Sequence, residues 1–238
     1  MRGITRSGRA RVVVLSGAGI SRESGLQTFR DGDGLWEGHR VEDVATPEAW
    51  AQNQQLVLEF YNERRRALLQ AEPNAGHREL VRLEDQFDVQ VITQNIDDLH
   101  ERAGSSTVLH LHGELRKAQS TVDPSLIYPI SGSELAVGES CEKGSQLRPF
   151  VVWFGEPVPM IEQAAKIVAE AEWLIVVGTS LAVYPAANLI YHVSPQCKVV
   201  VIDPKPPAFN FSSAVEFRTE PATVGLRQVV DDLIATVR

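Results

Sequence analysis

The side chains best suited to chemistry follow three short apolar runs. In VITQNIDDLH, Gln94, Asn95 and Asp97 come directly after a run that reads as a strand. In VLHLHGEL, residues alternate, which would set His110 and His112 on one face of a strand and Leu109 and Leu111 on the other. Histidine titrates near neutral pH, so an imidazole beside an amide and a carboxylate could take the proton from a hydroxyl group. Spacing does not by itself separate that role from a histidine hydrogen-bonded in the core.

Two glycine turns stand beside them. VVVLSGAGIS carries Gly17-Ala18-Gly19-Ile20-Ser21 after an apolar run, and LIVVGTS carries Gly178-Thr179-Ser180. Glycines let a backbone approach a phosphate, and the N-terminus of a following helix favours its charge. The pattern stops at G-x-G, because Arg22 stands where a dinucleotide fingerprint has its third glycine. The run KVVVI ends at Asp203, an acid placed past a glycine turn at roughly the ~20-residue separation at which a ribose diol is held. From spacing alone, Asp203 could equally cap the turn before Pro204. Two turns and an acid favour a dinucleotide over a mononucleotide.

These residues need a scaffold that brings the ends of several strands together. Val12–Leu15, Val89–Thr93, Val108–Leu111, Leu174–Val177 and Val199–Ile202 are short and almost continuously apolar, the pattern of strands buried on both faces of a parallel sheet. Helical patterns at Ile161–Ala171 and Ala186–Val193 separate some of them. The expected class is α/β, a Rossmann-like doubly wound parallel sheet, whose ligands sit beyond the carboxyl ends of the strands. Thr46-Pro47 starts a helix running to about Gln70, and a second begins near Asn74. The stretch Arg116–Arg148 shows no sustained period and reads as an irregular excursion.

Composition narrows the class further. The chain has 238 residues, is 43% hydrophobic and 23% charged, and carries a net charge of −8, which argues against nucleic acid as a partner. No apolar run reaches the ~18 residues needed to span a membrane. Arg2, Arg6, Arg9 and Arg11 precede an apolar stretch too short for a signal sequence, so a soluble cytoplasmic protein, monomeric, is expected. Cys141 and Cys197 form no metal-binding pair.

Taken in order, GAGIS at 17–21, FR at 29–30, TQNID at 93–97, HGE at 112–114, WFGE at 153–156 and GTS at 178–180 resemble the sirtuin family of NAD-dependent protein lysine deacylases. The resemblance implies a Rossmann-like domain over 1–32, 75–115 and 149–238, with a small domain inserted as a helical module at 33–74 and a ribbon at 116–148. It places the NAD phosphates at Gly17–Gly19. It surrounds the nicotinamide and its ribose with Ala18, Ile20, Phe29, Asn95, Ile96 and Asp97, sets Thr179 and Ser180 on the adenosine side with Asp203 near its ribose, and counts Arg30, Gln94 and Gly178 among the cofactor-binding residues. His112 becomes the general base, assisted by Asn95, and Val152, Trp153, Phe154 and Gly155 line a tunnel whose backbone pairs with an acyl-lysine peptide. NAD is consumed: the acyl oxygen displaces nicotinamide, and the products are free lysine and O-acyl-ADP-ribose. ADP-ribosyl transfer, NAD hydrolysis or a non-catalytic NAD-sensing module are the alternatives at such a site.

Tyr61 and Arg64 resemble the Y-x-x-R pair of sirtuins that remove succinyl, malonyl and glutaryl groups, and Ala45 their small pocket residue; acetyl is a second expected substrate. A phenol and a planar guanidinium sharing one helix face suit a carboxylate. Against this stands the plain reading of Arg64, Arg65 and Arg66 as a solvated helix face. The chain departs from the family in two places. Asp203 stands where Asn is usual, which favours NAD over its phosphorylated form. The interval that normally carries two C-x-x-C pairs holds only Cys141, so no structural zinc is expected, and Leu126, Ile127, Tyr128, Ile130, Leu135 and Val137 would supply a small apolar core instead.

Overall fold

A computed structural model describes residues 8–27, 35–36, 38–205 and 215–237. Phe29 and Arg30 lie outside the described residues, as do Arg2 and Arg6. In chain order the elements are β1 (Arg11–Ser16), β2 (Leu35–Trp36), β3 (His39–Arg40), α1 (Val41–Val44), α2 (Pro47–Gln52), α3 (Gln54–Gln70), α4 (Ala75–Leu83), β4 (Asp88–Thr93), α5 (Leu99–Ala103), β5 (Val108–His110) and β6 (Gly113–Ser120). They continue with β7 (Ile127–Pro129), β8 (Leu147–Val151), α6 (Ile161–Ala169), β9 (Trp173–Val177), β10 (Lys198–Ile202), β11 (Val215–Arg218) and α7 (Ala222–Ala235).

The apolar runs form one parallel sheet in the order β11-β10-β9-β1-β4-β5. Val12, Val13, Val14 and Leu15 of β1 are completely buried, because alternate side chains meet cores on opposite faces. On one side Val12 and Val14 pack with Leu80 and Leu83 of α4 and Leu226 and Val230 of α7. On the other, Val13 and Leu15 meet Ala164 and Val168 of α6 and Leu189 and Ile190. From β1 the chain builds outward through β4 and β5, then crosses to β9 and β10 on the far side. The strand order therefore reverses at β1, and a crevice opens beyond the carboxyl ends of β1, β4, β9 and β10.

Several local expectations need correction. The single helix expected from Thr46 to Gln70 is two helices. Thr46 caps α2 by accepting from the Ala49 amide at 3.0 Å, and the chain then breaks at Asn53, whose Oδ1 accepts from the Leu56 amide at 3.0 Å and starts α3 anew. Ala186–His192 is a 3-10 helix rather than an α-helix. The stretch 116–148 is not irregular, since β7-β6-β8 form an antiparallel sheet there. Its short strands and their bulge between Gly113 and Ala118 leave too little regular alternation to read. Ile127 and Val137 are exposed, and the small core is made of Leu58, Ala118, Ile130, Leu135, Cys141 and Leu147, with Leu126 and Tyr128 at its margin.

Candidate active site

The crevice is a cavity of about 750 Å³. Gly17, Ala18, Gly19, Gly178, Thr179, Ser180 and Asp203 line one end, Gln94, Asn95, Ile96, Asp97 and His112 the middle, and Ala45, Tyr61, Arg64, Val152, Trp153, Phe154 and Gly155 the rest of the wall. Ile20 is not on the wall; it is fully buried beneath it in the sheet core.

The two glycine turns hold each other. The Gly17 amide donates to the Val177 carbonyl at 3.0 Å and the Gly19 amide to the Gly178 carbonyl at 2.8 Å. A Cβ on Gly19 would lie 2.6 Å from the Gly178 Cα, and one on Gly178, whose φ is +64°, would lie 2.3 Å from the Ile20 nitrogen. Only glycine permits this contact. Among the described residues the first turn leads into two 3-10 turns, Ala18–Ile20 and Arg22–Ser24, rather than into the long helix expected from the sequence. The Ile20 and Ser21 amides also donate within the turn, to Gly17 and Ala18.

The loop after β4 is held on every side. Gln94 Nε2 donates to Thr179 Oγ1 at 3.1 Å, joining it to the second glycine turn. Asn95 Nδ2 donates to Ser21 Oγ at 3.2 Å, and Ser21 in turn donates to Asp97 Oδ2 at 3.0 Å. Burial raises the Asp97 carboxyl above the usual range, against the Leu99 amide, the Ser21 hydroxyl and the His110 charge. Ser21 sat inside a quoted motif but received no role from sequence; its position in the GAGIS turn was the available signal.

β5 ends at His110, so His112 lies in the turn before β6 rather than on the same strand. Both rings nevertheless reach the neighbouring loop: Nδ1 of His112 is 3.0 Å from the Gln94 carbonyl, and Nδ1 of His110 is 3.0 Å from the Asn95 carbonyl. A carbonyl only accepts, so Nδ1 of His112 carries the proton and its Nε2 keeps a lone pair. Burial pulls the proton affinity of His112 down, partly opposed by the Gln94 carbonyl, so the ring is neutral at pH 7. A neutral imidazole at a cavity wall is a competent proton acceptor.

At the other end, Tyr61 is fully buried and accepts from Trp153 Nε1 at 3.0 Å, which leaves its own phenolic hydrogen for an acceptor in the cavity. Burial pushes its pKa up, against the nearby Arg64 charge. The Arg64 guanidinium lies 4.2 Å from the Trp36 ring centroid and 5.8 Å from that of Phe60. Trp36 lines the cavity as well and was not anticipated. The plain reading of the three arginines fails for two of them. Arg66 is the solvated one, paired with Glu59 and Glu134, whereas Arg64 lines the cavity and Arg65 is completely buried.

The amides of Val152, Trp153 and Phe154 already donate, to the His112 carbonyl, Glu156 Oε2 and the Ala45 carbonyl. Gly155 is the first residue of that segment whose amide is not so engaged among the described residues. Asp203 Oδ1 accepts from the Lys205 amide at 2.9 Å, so it caps the turn and also lines the cavity. Among the described residues no group of three or more His, Cys, Asp or Glu is placed to hold a metal ion. Cys141 instead contacts the hydroxyls of Ser120 and Ser145 at 3.4 and 3.2 Å. That donor set does not suit zinc, which takes four thiolate, imidazole or carboxylate ligands.

The Sir2 family signature matches residues 17–185. An NAD-dependent protein deacylase of Helicobacter pylori is 49% identical over 94% of this chain and 97% of its own length. One of Aggregatibacter actinomycetemcomitans is 54% identical over 82% of this chain and 93% of its own. Among solved structures, a Sir2 homolog in complex with NAD superposes with a TM-score of 0.85 at 36% identity, covering 99% of this chain and 93% of the other. A Sir2 structure with p53 peptide and NAD+ superposes with a TM-score of 0.76 at 28% identity, covering 95% and 94%. Glycine turns interlocked over a parallel sheet, a buried Asn-Asp loop and a neutral histidine are thus set in a chain that belongs to the Sir2 family.

Proposed function

We propose that this chain is an NAD-dependent protein deacylase whose cavity favours acyl-lysines ending in a carboxylate. NAD supplies the carbon that accepts the acyl oxygen and the nicotinamide that leaves. Gly17–Gly19, with Gly178, Thr179 and Ser180, hold the phosphates and the adenosine side, and the buried Asp203 accepts from its ribose. Gln94, Asn95, Ile96 and Asp97 enclose the nicotinamide ribose, and Phe29 and Arg30 belong with them by motif. His112, neutral with its lone pair on Nε2, takes the proton from a ribose hydroxyl, and Asn95 orients that ribose. Val152–Gly155 form the tunnel wall; with the first three amides and the Trp153 carbonyl already engaged, pairing to a peptide backbone falls to the Val152 and Phe154 carbonyls and to Gly155.

The observation that supports the acidic preference is the pairing of the Tyr61 hydroxyl, whose proton is free to be donated, with the Arg64 guanidinium on one apolar wall beside the small Ala45. A carboxylate there meets a neutral donor and a planar cation stacked on Trp36, which is a costly site for an uncharged acyl tip to leave unfilled. The helical module at 33–74 contributes this end through Ala45, Tyr61 and Arg64, and the ribbon at 116–148 works without a structural metal. The test is a panel of acetyl-, succinyl-, malonyl- and glutaryl-lysine peptides with NAD, following nicotinamide release and peptide mass. Arg64→Met should cost succinyl peptides about tenfold to a hundredfold more than acetyl peptides. Equal losses on both would reject the acidic preference. A gain of mass on the peptide would identify ADP-ribosyl transfer instead.

A further inference from the structure

His110 resembles a core histidine in sequence, yet its surroundings are those of a cation. Nδ1 lies 3.0 Å from the Asn95 carbonyl and Nε2 lies 2.7 Å from Glu101 Oε1. Both partners only accept, so a neutral ring, with one proton, satisfies one of them and leaves the other bare. Burial lowers the proton affinity of His110, but the Glu101 carboxylate and the Asn95 carbonyl outweigh it and the net shift is upward. Burial likewise raises the Glu101 carboxyl, and His110 outweighs that, bringing it below the usual range. The two shifts agree on an imidazolium–carboxylate pair.

What this pair grips is the loop after β4. His112 and His110 hold two successive carbonyls, those of Gln94 and Asn95, from the same side. The Asn95 side chain is bonded to Ser21, and Ser21 to Asp97, so a rotation of the Asn95 peptide is passed to both side chains. The His110 charge also opposes the penalty of burying Asp97. The charged and titratable groups around it are Glu101 of α5, Asp97 of the loop and Glu114 of β6. Lys117 of β6 acts on Glu101, and the buried His100 of α5 lies within range of the His110 charge.

We propose that His110, held as an imidazolium by Glu101, is a positioning residue that fixes the Asn95 peptide, and with it the Asn95 and Asp97 side chains, against the bound dinucleotide. This rests on the reading of residues 94–97 as the nicotinamide-ribose loop. His112 makes the same backbone bond but, among the described residues, has no carboxylate on its second nitrogen, which is why one ring is a neutral base and its neighbour a fixed cation. The grip is complete below the raised pKa of His110 and slackens as pH rises through it.

Glu101→Gln tests the charge at a half-exposed side chain, where the fold is least at risk. It keeps an acceptor for Nε2 but removes the anion that holds the proton. The alkaline limb of kcat/KM for NAD should move down by about one pH unit, with the thermal midpoint unchanged. His110→Ala should raise KM for NAD about tenfold or more with a smaller change in kcat. His110→Asn, which retains a donor for the Asn95 carbonyl and cannot titrate, should recover part of that loss and show none of the Glu101-dependent limb. Coincident alkaline limbs for wild type and Glu101→Gln would overturn the proposal, as would equal KM values for wild type and His110→Ala. NAD binding by calorimetry separates the two levels: wild type failing to bind would sink the loop assignment itself. Binding by wild type matched by both His110 variants would sink only the positioning role.

Discussion

The two larger sheets of this protein are stabilised by different physics. The parallel sheet excludes water on both faces, with Val12, Val13, Val14 and Leu15 completely buried, and each such side chain contributes about 1.5–3 kcal/mol. The antiparallel β7-β6-β8 sheet leaves Val122 and Ile127 exposed beside it and owns a core of a few residues. Leu115 and Val151 join it to the apolar core around Tyr61, and Leu58 of α3 completes its own small core; the rest of the tie is polar. Arg65, completely buried, donates to the Leu115 carbonyl at 2.8 Å, to the Ser133 carbonyl at 2.6 Å and to Asn62 Oδ1 at 2.7 Å, and Asn62 bonds both polar groups of the Leu135 backbone. Burial lowers the pKa of this guanidinium to about 10, so it stays charged at neutral pH. One region affords rigid loop ends for chemistry through apolar burial. The other is a wall pinned by a small apolar core and one buried cation.

That contrast can be broken most decisively at the loop ends. His112→Ala should lower turnover by ~10²–10⁴ while the thermal midpoint and NAD binding hold; a large drop in the midpoint would show that the loop ends are not carried independently by the sheet. The wall comes next. Arg65→Ala leaves the Leu115 and Ser133 carbonyls without this donor and removes one of the two donors to Asn62 Oδ1, and should cost about 3 kcal/mol in chemical denaturation, whereas a metal chelator should leave the wild-type midpoint unmoved. A chelator-sensitive midpoint would end the idea of a polar staple.

The smallest effect distinguishes the regions by pH. His77 of α4 is buried beside His100, and burial holds its pKa down at about 4; burial likewise pushes His100 well below its ordinary value. The unfolded chain protonates these rings near pH 6.5, so stability falls as pH drops from there towards 4. Between pH 7 and pH 5 the loss from His77 should be about 2 kcal/mol. Denaturation at both values checks it, and an unchanged stability would place these rings in contact with water. Both histidines sit against the large sheet, so the small sheet should not lead this acid loss.

Much of this architecture is legible in one dimension. Continuous apolar runs of β-branched residues have few other homes than a doubly covered parallel sheet, and the glycine turns, the TQNID loop and His112 follow those runs directly. The small sheet was hidden because β7 is short and β6 is bulged between Gly113 and Ala118, so polar and apolar residues do not alternate regularly along them. The role of the glycines was also hidden: Gly19 is needed by Gly178, far away in sequence, and that closeness exists only once β1 and β9 are neighbours.

Residue types and order were sufficient for the class of fold and for which strand ends carry polar groups. They could not assign Arg64, Arg65 and Arg66, which a helix turning once per 3.6 residues sends to a cavity, a polar core and solvent. Nor could residue types alone set the charges of His110 and His112, because the charge of a ring depends on whether a carboxylate, here from α5, meets its second nitrogen. Such contacts form only when elements pack against one another, so local pattern carries no trace of them.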